Sequence, residues 1–150
     1  MIMGNSSDFE IENGVLIKYW GYEENVTIPD NVIRIGSDAF RGCDSIKNVI
    51  ISNSVREIGD CAFGWCANLK SVTLSENLER IAGHLFEYCQ KLKKVVIPGS
   101  VRKIGKEAFY ECFNYPGKLV ISDGVRIIGD SAFYGCSCIG ILRLPNSIIF

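Results

Sequence analysis

Seven cysteines have the most varied chemistry in this chain, because a thiolate can bind zinc, form a disulfide or act as a nucleophile. Five of them hold one recurring position, namely Cys43, Cys66, Cys89, Cys112 and Cys136. The odd total and the lack of paired Cys-x-x-Cys motifs fit neither a disulfide framework nor a zinc site. We therefore predict buried free thiols that pack as small hydrophobic groups. Cys61 and Cys138 are extra, and Cys61 is expected to be the more exposed, reactive thiol.

The single histidine, His84, lies at a position that varies between repeats. The other repeats have Asp38, Cys61, Glu107 and Ser131 there. We predict a solvated surface side chain rather than a general base. A Cys61–His84 dyad is geometrically allowed between adjacent repeats, but no third group is indicated that would orient the base. No glycine motif has the strand-to-helix phosphate loop with its lysine, so we expect no catalytic residue, no cofactor and no metal.

A repeat of 23 residues positions all of these side chains. It covers residues 26–48, 49–71, 72–94, 95–118 and 119–141, with a partial copy at 142–150. A period of this length indicates a solenoid, since one unit is too small to bury its own apolar face and stacked neighbours must supply the core. We predict one solenoid domain over 26–150, with five full repeats and a partial sixth, preceded by a cap hairpin over 1–25. Asn13-Gly14 between apolar residues predicts the hairpin turn.

Each repeat divides into a strand, a corner and a compact segment. It opens with an alternation such as Val26 and Ile28, which is typical of a strand with one buried face. Turn residues follow, and then a second apolar pair such as Val32 and Ile35, which we predict to point inward. The next residue is glycine in every full repeat except at Ala82, and we assign it to a tight corner or a positive φ. Phe and Cys of the closing Ala-Phe-x-x-Cys segment are three apart, as one helical or 3₁₀ turn would require to bury both.

Segments such as VTIPDNVIRIGSDAFRGC resemble the BspA-type class of leucine-rich repeats. The departures are Ala82 and Leu85 in the third repeat and one extra residue near Pro116-Gly117, where we expect a bulged loop. The resemblance implies an α/β-type leucine-rich repeat solenoid. Its parallel sheet would form the concave face, with short helical or 3₁₀ turns and irregular segments on the convex face and a hairpin cap at the N-terminus. It also implies a bacterial protein, secreted or on the cell surface, with an adhesion-type role.

Two surfaces are candidate binding sites. The outward strand positions form the first, together with flanking lysines: Thr27, Ile50, Thr73, Val96, Val120, Arg143, Lys94 and Lys118. Extended sheet faces serve binding in solenoids, although β-branched residues also simply suit exposed strands. The second is aromatic and consists of Trp65, Tyr88, Tyr110 and Tyr134, with Phe113 and Tyr115 in the nearby loop. Such clusters serve protein and carbohydrate contacts, but partial packing over the core is the simpler interpretation.

The charges limit the classes of partner. The net charge is −1, and basic residues before the Ile-Gly corner are largely cancelled by acidic residues after it, so no nucleic acid is expected. No stretch is long and apolar enough for membrane insertion, and the first residues lack a signal-peptide pattern. We predict a non-catalytic module that binds a protein or glycan ligand. The alternative is a self-associating scaffold, joined through its C-terminal edge, or a fragment of a longer repeat array.

Overall fold

The computed structural model describes residues 6–112, 116–137 and 139–148 of the chain. A short 3₁₀-helix, Ser6–Asp8, precedes an antiparallel hairpin of β1 (Phe9–Glu12) and β2 (Val15–Tyr19). The predicted turn at Asn13-Gly14 is present, and both residues have positive φ, 50° and 78°. Phe113, Tyr115 and Cys138 lie outside the described residues. No helix in the described ranges is long and apolar enough to cross a membrane.

Six strands form a parallel sheet, called here the main sheet. They are β3 (Asn25–Thr27), β5 (Asn48–Ile50), β7 (Ser71–Thr73), β9 (Lys94–Ile97), β11 (Gly117–Ile121) and β13 (Ile139–Arg143). The strands pair in chain order, and the register advances by one repeat, as in Val26↔Val49 and Val49↔Val72. The register shifts between Gly117 and Lys118, where β11 pairs with β13, next to the extra residue of the fourth repeat.

A second ladder of two-residue strands, which the sequence did not indicate, ends at the isoleucine directly before the corner of each repeat. Its members are β4 (Arg34–Ile35), β6 (Glu57–Ile58), β8 (Arg80–Ile81), β10 (Lys103–Ile104) and β12 (Ile127–Ile128). The hairpin joins this ladder, in the order β1-β2-β4-β6, while β8, β10 and β12 form a separate sheet. The cap therefore extends the second ladder and leaves β3 at the edge of the main sheet.

The core lies between the two ladders and is continuous along the repeats. Val32, Ile35, Val55 and Ile58 are buried, as predicted for the second apolar pair. Phenylalanine rings form a column in which Phe40, Phe63, Phe86 and Phe109 stack at centroid distances of 4.8, 5.8 and 5.3 Å. Tyr19 of the hairpin stacks on Phe40 at 5.0 Å. The hairpin thus supplies the ring that a preceding repeat would otherwise provide.

The prediction of helical or 3₁₀ turns in the Ala-Phe-x-x-Cys segments is wrong. In the first repeat, Ala39 and Arg41 donate N–H bonds to the carbonyls of Gly36 and Asp38 (3.3 and 3.1 Å), whereas Phe40 donates to Ala62 of the next repeat (2.7 Å). Bonds within a repeat alternate with bonds between repeats, so the segment is a series of turns. Two residues of each segment have positive φ, for example His84 (54°) and Tyr88 (55°). Left-handed residues interrupt the uniform right-handed conformation that a helix needs.

Of the two roles predicted for the glycine after each corner isoleucine, a tight corner or a positive φ, the positive φ is wrong. The glycines with positive φ in the described residues are at other positions. A Cβ built on Gly105 would lie 2.6 Å from the amide nitrogen of Gly83, and one on Gly129 would lie 2.6 Å from that of Lys106. Glycine is needed at the corner because the backbone of the preceding repeat approaches too closely for a side chain.

Candidate binding surfaces

The outward residues of the main sheet lie side by side, because the strands are in register. Thr27 pairs with Ile50, and Ile50 pairs with Thr73. Val96 pairs with Val120, which in turn pairs with Arg143. These pairings bring together the first predicted surface along its strands; the side chain of Arg143 lies outside the described part of the structure.

Exposure distinguishes the members of this face. Ile50 and Val96 are 39% and 44% exposed, and Thr73 is exposed too, whereas Thr27 and Val120 are half-buried. Burying an exposed aliphatic side chain against a partner is favourable, at roughly 25 cal/mol per Å² of apolar area. The sheet therefore presents apolar area that is available to a partner at two separated strands.

Lysines border the face where the strands begin. Lys94 and Lys118 are exposed and are direct partners on adjacent strands. In the first repeats the same border is occupied by a polar chain, in which Asn48 donates to Asn25 (2.8 Å) and Ser71 donates to Asn48 (2.7 Å). The lysines of this border thus lie on β9 and β11.

A groove of about 650 Å³ lies on this face. The outward residues Thr73, Lys94 and Val96 line it, together with Glu76, Gly99 and Ser122. The last three follow the strands in their repeats, and the sequence prediction did not include them. Their position in the turn that follows each strand is the signal that could have indicated them, since the carboxyl ends of neighbouring parallel strands lie at one edge of the sheet.

The aromatic residues of the second surface form one continuous row. Trp65 stacks on Tyr88 with ring centroids 4.0 Å apart, Tyr88 meets Tyr110 edge-on at 5.6 Å, and Tyr110 stacks on Tyr134 at 5.1 Å. Trp65 and Tyr134, at its ends, are 47% and 59% exposed, and the two inner tyrosines are half-buried. Two of the three contacts are face to face, so much of the ring area available for stacking is used within the row.

The cysteines of the repeated position are buried or half-buried free thiols. Each of four thiols donates a hydrogen bond to a phenylalanine carbonyl of the preceding repeat, for example Cys66 to Phe40 and Cys89 to Phe63, both at 3.1 Å. Burial raises the pKa of Cys89 and Cys112. A protonated thiol is a poor nucleophile, so the cysteines of the repeated position have a structural role.

Cys61 lies outside the series and is half-buried, less accessible than expected. Burial, and then the negative charge of Glu87, raises the pKa of its thiol. Nδ1 of His84 lies 2.8 Å from Oε2 of Glu87 and 3.4 Å from Oε2 of Glu107. The histidine therefore faces two carboxylates, and its side chain is 33% exposed rather than fully solvated.

The structure is similar to those of several leucine-rich repeat proteins. One from T. pallidum aligns with a TM-score of 0.88 and 29% identity over 96% of this chain and 72% of that protein. One from Bacteroides ovatus aligns with a TM-score of 0.78 and 31% identity over 90% of this chain and 37% of that protein. A third, from Bacteroides capillosus, gives a TM-score of 0.59 and 28% identity over 72% of this chain and 86% of that protein.

The sequence was also compared with curated proteins and with family models. No curated protein is significantly similar to it. The family model for the BspA-type leucine-rich repeat region matches residues 18–139 and 116–149, in 6 copies. These matches include every strand of both ladders from β3 onward. The chain belongs to the BspA-type leucine-rich repeat family.

Proposed function

We propose that the chain is a non-catalytic interaction module whose protein partner binds along the outer face of the main sheet. The observation that carries this proposal is the exposure of Ile50 and Val96 at 39% and 44%, on β5 and β9, which lie on either side of β7 in one parallel sheet. Both side chains border residues that can donate or accept hydrogen bonds, such as Thr73 and Lys94. Apolar centres surrounded by polar groups are typical of protein interfaces.

The charged residues on this face favour a partner with a particular distribution of charge. Lys94 and Lys118 lie at the start of their strands, while Glu76 and Asp123 follow the ends of β7 and β11, and all four are exposed. A bound segment that is acidic at one end and basic at the other would complement both borders. Complementary charge of this kind sets orientation and association rate more than affinity.

A protein fits the sheet face better than a glycan does. Sugar rings bind on the open faces of aromatic side chains, and the described outward residues of the sheet are aliphatic, hydroxylated or basic. In the aromatic row, Trp65 stacks on Tyr88 and Tyr110 stacks on Tyr134, so much of the ring area is already in contact within the row. A secreted or cell-surface, adhesion-type role, which the resemblance to bacterial relatives implies, would use the same sheet face.

The test is to probe protein and glycan arrays with the purified chain and with matched charge variants. Ile50→Glu and Val96→Glu should abolish binding of the protein ligand, because a carboxylate would have to be desolvated at the interface. Ile127→Glu is the control, since Ile127 is 55% exposed but lies in β12 of the second ladder. Circular dichroism checks that all three variants fold. Binding that survives both sheet substitutions, or that selects only glycans, contradicts the proposal.

A second candidate function is a self-associating scaffold, and the edges of the main sheet favour it. Within the described residues, β3 and β13 each have a strand partner on one side only. Unpaired edge strands readily pair with another chain, so β13 of one copy could add to β3 of the next. Light scattering after size-exclusion chromatography over a range of concentrations distinguishes the two functions. Mass that increases with concentration supports the scaffold, and a constant monomer mass excludes it.

A further inference from the structure

Three metal-ligating side chains converge where the third and fourth repeats meet. His84, Glu87 and Glu107 each offer one donor atom, and these atoms all lie within 4.8 Å of one another. The two distances from Nδ1 of His84 are 2.8 Å to Glu87 and 3.4 Å to Glu107. The cluster is separate from the main sheet and from its proposed partner.

The backbone holds these three residues firmly in place. His84 and Glu107 occupy the same repeat position and share a left-handed conformation, with φ of 54° and 53°. The N–H of His84 donates to the carbonyl of Lys106 (2.9 Å), which ties the third repeat to the fourth beside Glu107. The N–H of Glu87 donates to the carbonyl of His84 (3.2 Å). The convergence therefore follows from the packing of the repeats.

The protein's own groups neutralise the two carboxylates incompletely. Their side chains are only 12% (Glu87) and 24% (Glu107) exposed, and one imidazole nitrogen faces both. At 3.4 Å the contact to Glu107 exceeds the usual length of an N–H···O bond, about 2.7–3.2 Å. Lys106 lies 3.5 Å from the other oxygen of Glu107, but its side chain is 64% exposed, so water screens that charge.

The two separations from Nδ1 of His84 are comparable with those between neighbouring ligand atoms of a tetrahedral metal site. Zinc binds imidazole nitrogen and carboxylate oxygen at about 2.0–2.2 Å, which places neighbouring ligand atoms about 3.3 Å apart. The observed separations of 2.8 and 3.4 Å lie on either side of that value. Small side-chain rotations would therefore admit an ion, whereas calcium, which takes about six to eight oxygen ligands, finds only two carboxylates here.

We propose that His84, Glu87 and Glu107 form a binding site for a zinc-type divalent transition metal ion. Nδ1 of His84 and one oxygen from each glutamate are its protein ligands, and a fourth position stays open to water. An imidazole with two carboxylates selects zinc or a similar ion over magnesium and calcium. The bound ion would bridge the third and fourth repeats and compensate both carboxylates.

The single histidine makes the test specific despite the seven cysteines. Zinc is titrated into the full chain while the imidazole resonances are followed by NMR and the affinity is measured by calorimetry. We expect the His84 resonances to shift as one equivalent binds, and Glu107→Gln and Glu87→Gln each to weaken binding by about tenfold or more. Asp30→Asn, at an exposed carboxylate after β3, is the control and should leave the affinity unchanged.

Three results would overturn the proposal. The first is zinc binding that leaves the imidazole resonances unmoved, since the metal would then occupy thiols elsewhere. The second is an affinity that neither glutamine variant changes, although both variants remain folded. The third is an equal response of the imidazole to magnesium, because this ligand set should discriminate against it.

Discussion

The thiol of Cys89 donates a hydrogen bond to the carbonyl oxygen of Phe63 in the preceding repeat, with Sγ and O 3.1 Å apart. The same bond links Cys112 to Phe86 (2.6 Å) and Cys136 to Phe109 (2.9 Å). Cysteine is suited to this position because it is small and apolar yet has one weak donor. The thiol therefore gives a buried carbonyl a second partner in a place where alanine or valine could not.

Replacing Cys89 by alanine should lower the free energy of unfolding by about 1–3 kcal/mol, because it removes this donor and leaves a small cavity. Urea denaturation followed by circular dichroism measures the change. Cys61→Ala is the matched control, since Cys61 is half-buried and lies outside the series. It should lower the free energy of unfolding by clearly less than Cys89→Ala does. Equal costs for the two substitutions would show that the position in the series does not matter.

Alkaline pH should destabilise the fold through the buried thiols. The pKa of Cys136 is raised from 9.0 to about 11, chiefly by burial. The folded state keeps this proton at a pH where the unfolded chain loses it, so stability is complete below pH 9 and falls as the pH rises towards 11. Urea denaturation across this range should show a shallower decline for Cys136→Ala than for the unmodified chain. An identical decline would argue against Cys136 as a source of the effect.

Adding a methyl group at Gly105 should lower the free energy of unfolding. The reason is a close backbone contact and not a positive φ. Its Cβ would lie 2.6 Å from the amide nitrogen of Gly83, and backbone cannot move aside as a flexible side chain can. We expect Gly105→Ala to destabilise by about 1–3 kcal/mol. Gly83→Ala is the control, because its nearest contact would be an ordinary 3.4 Å. Thermal unfolding of the two variants compares them, and similar midpoints would contradict the close-approach argument.

Replacing Ser131 by glycine should stabilise the folded chain. This exposed residue has φ of 54°, a left-handed conformation that costs residues with a Cβ roughly 1–2 kcal/mol. Part of the gain is lost to the greater flexibility of glycine in the unfolded chain. Ser131→Gly should therefore raise the free energy of unfolding by about 0.5–1 kcal/mol, while Ser131→Ala should bring no gain. Denaturation that ranks alanine above glycine would refute the backbone explanation.

The parallel sheet and its buried positions could be predicted because a recurring alternation such as Val26 and Ile28 fixes both the strand and its register. The second ladder could not, since strands of two residues such as Arg34–Ile35 are too short to show a periodicity. The spacing of Phe and Cys correctly indicated that both are buried, but a helix and a series of turns give the same spacing. The φ of residues such as His84 and Tyr88 and the hydrogen bonds between repeats separate the two, and the spacing of Phe and Cys reveals neither.

The residues of the candidate surfaces could be predicted from the sequence, but the packing of their side chains could not. Strand alternation assigned Ile50 and Val96 to the outside, and the structure places them there. The row from Trp65 to Tyr134 could be found from the repeat, whereas the stacking of its rings depends on side-chain packing. Likewise, the repeat placed His84 and Glu107 in equivalent positions, but it gave no sign that Glu87 turns towards both.

The column of phenylalanine rings has a consequence for cooperativity. Phe86 contacts one ring on each side, at 5.8 Å from Phe63 and 5.3 Å from Phe109. In a molecule whose repeats interact only with their neighbours, such contacts transmit folding from one unit to the next. Truncating Phe86 would weaken the coupling between the two halves of the chain, so that each half could unfold in a transition of its own. The column therefore allows five short repeats to unfold in a single cooperative transition.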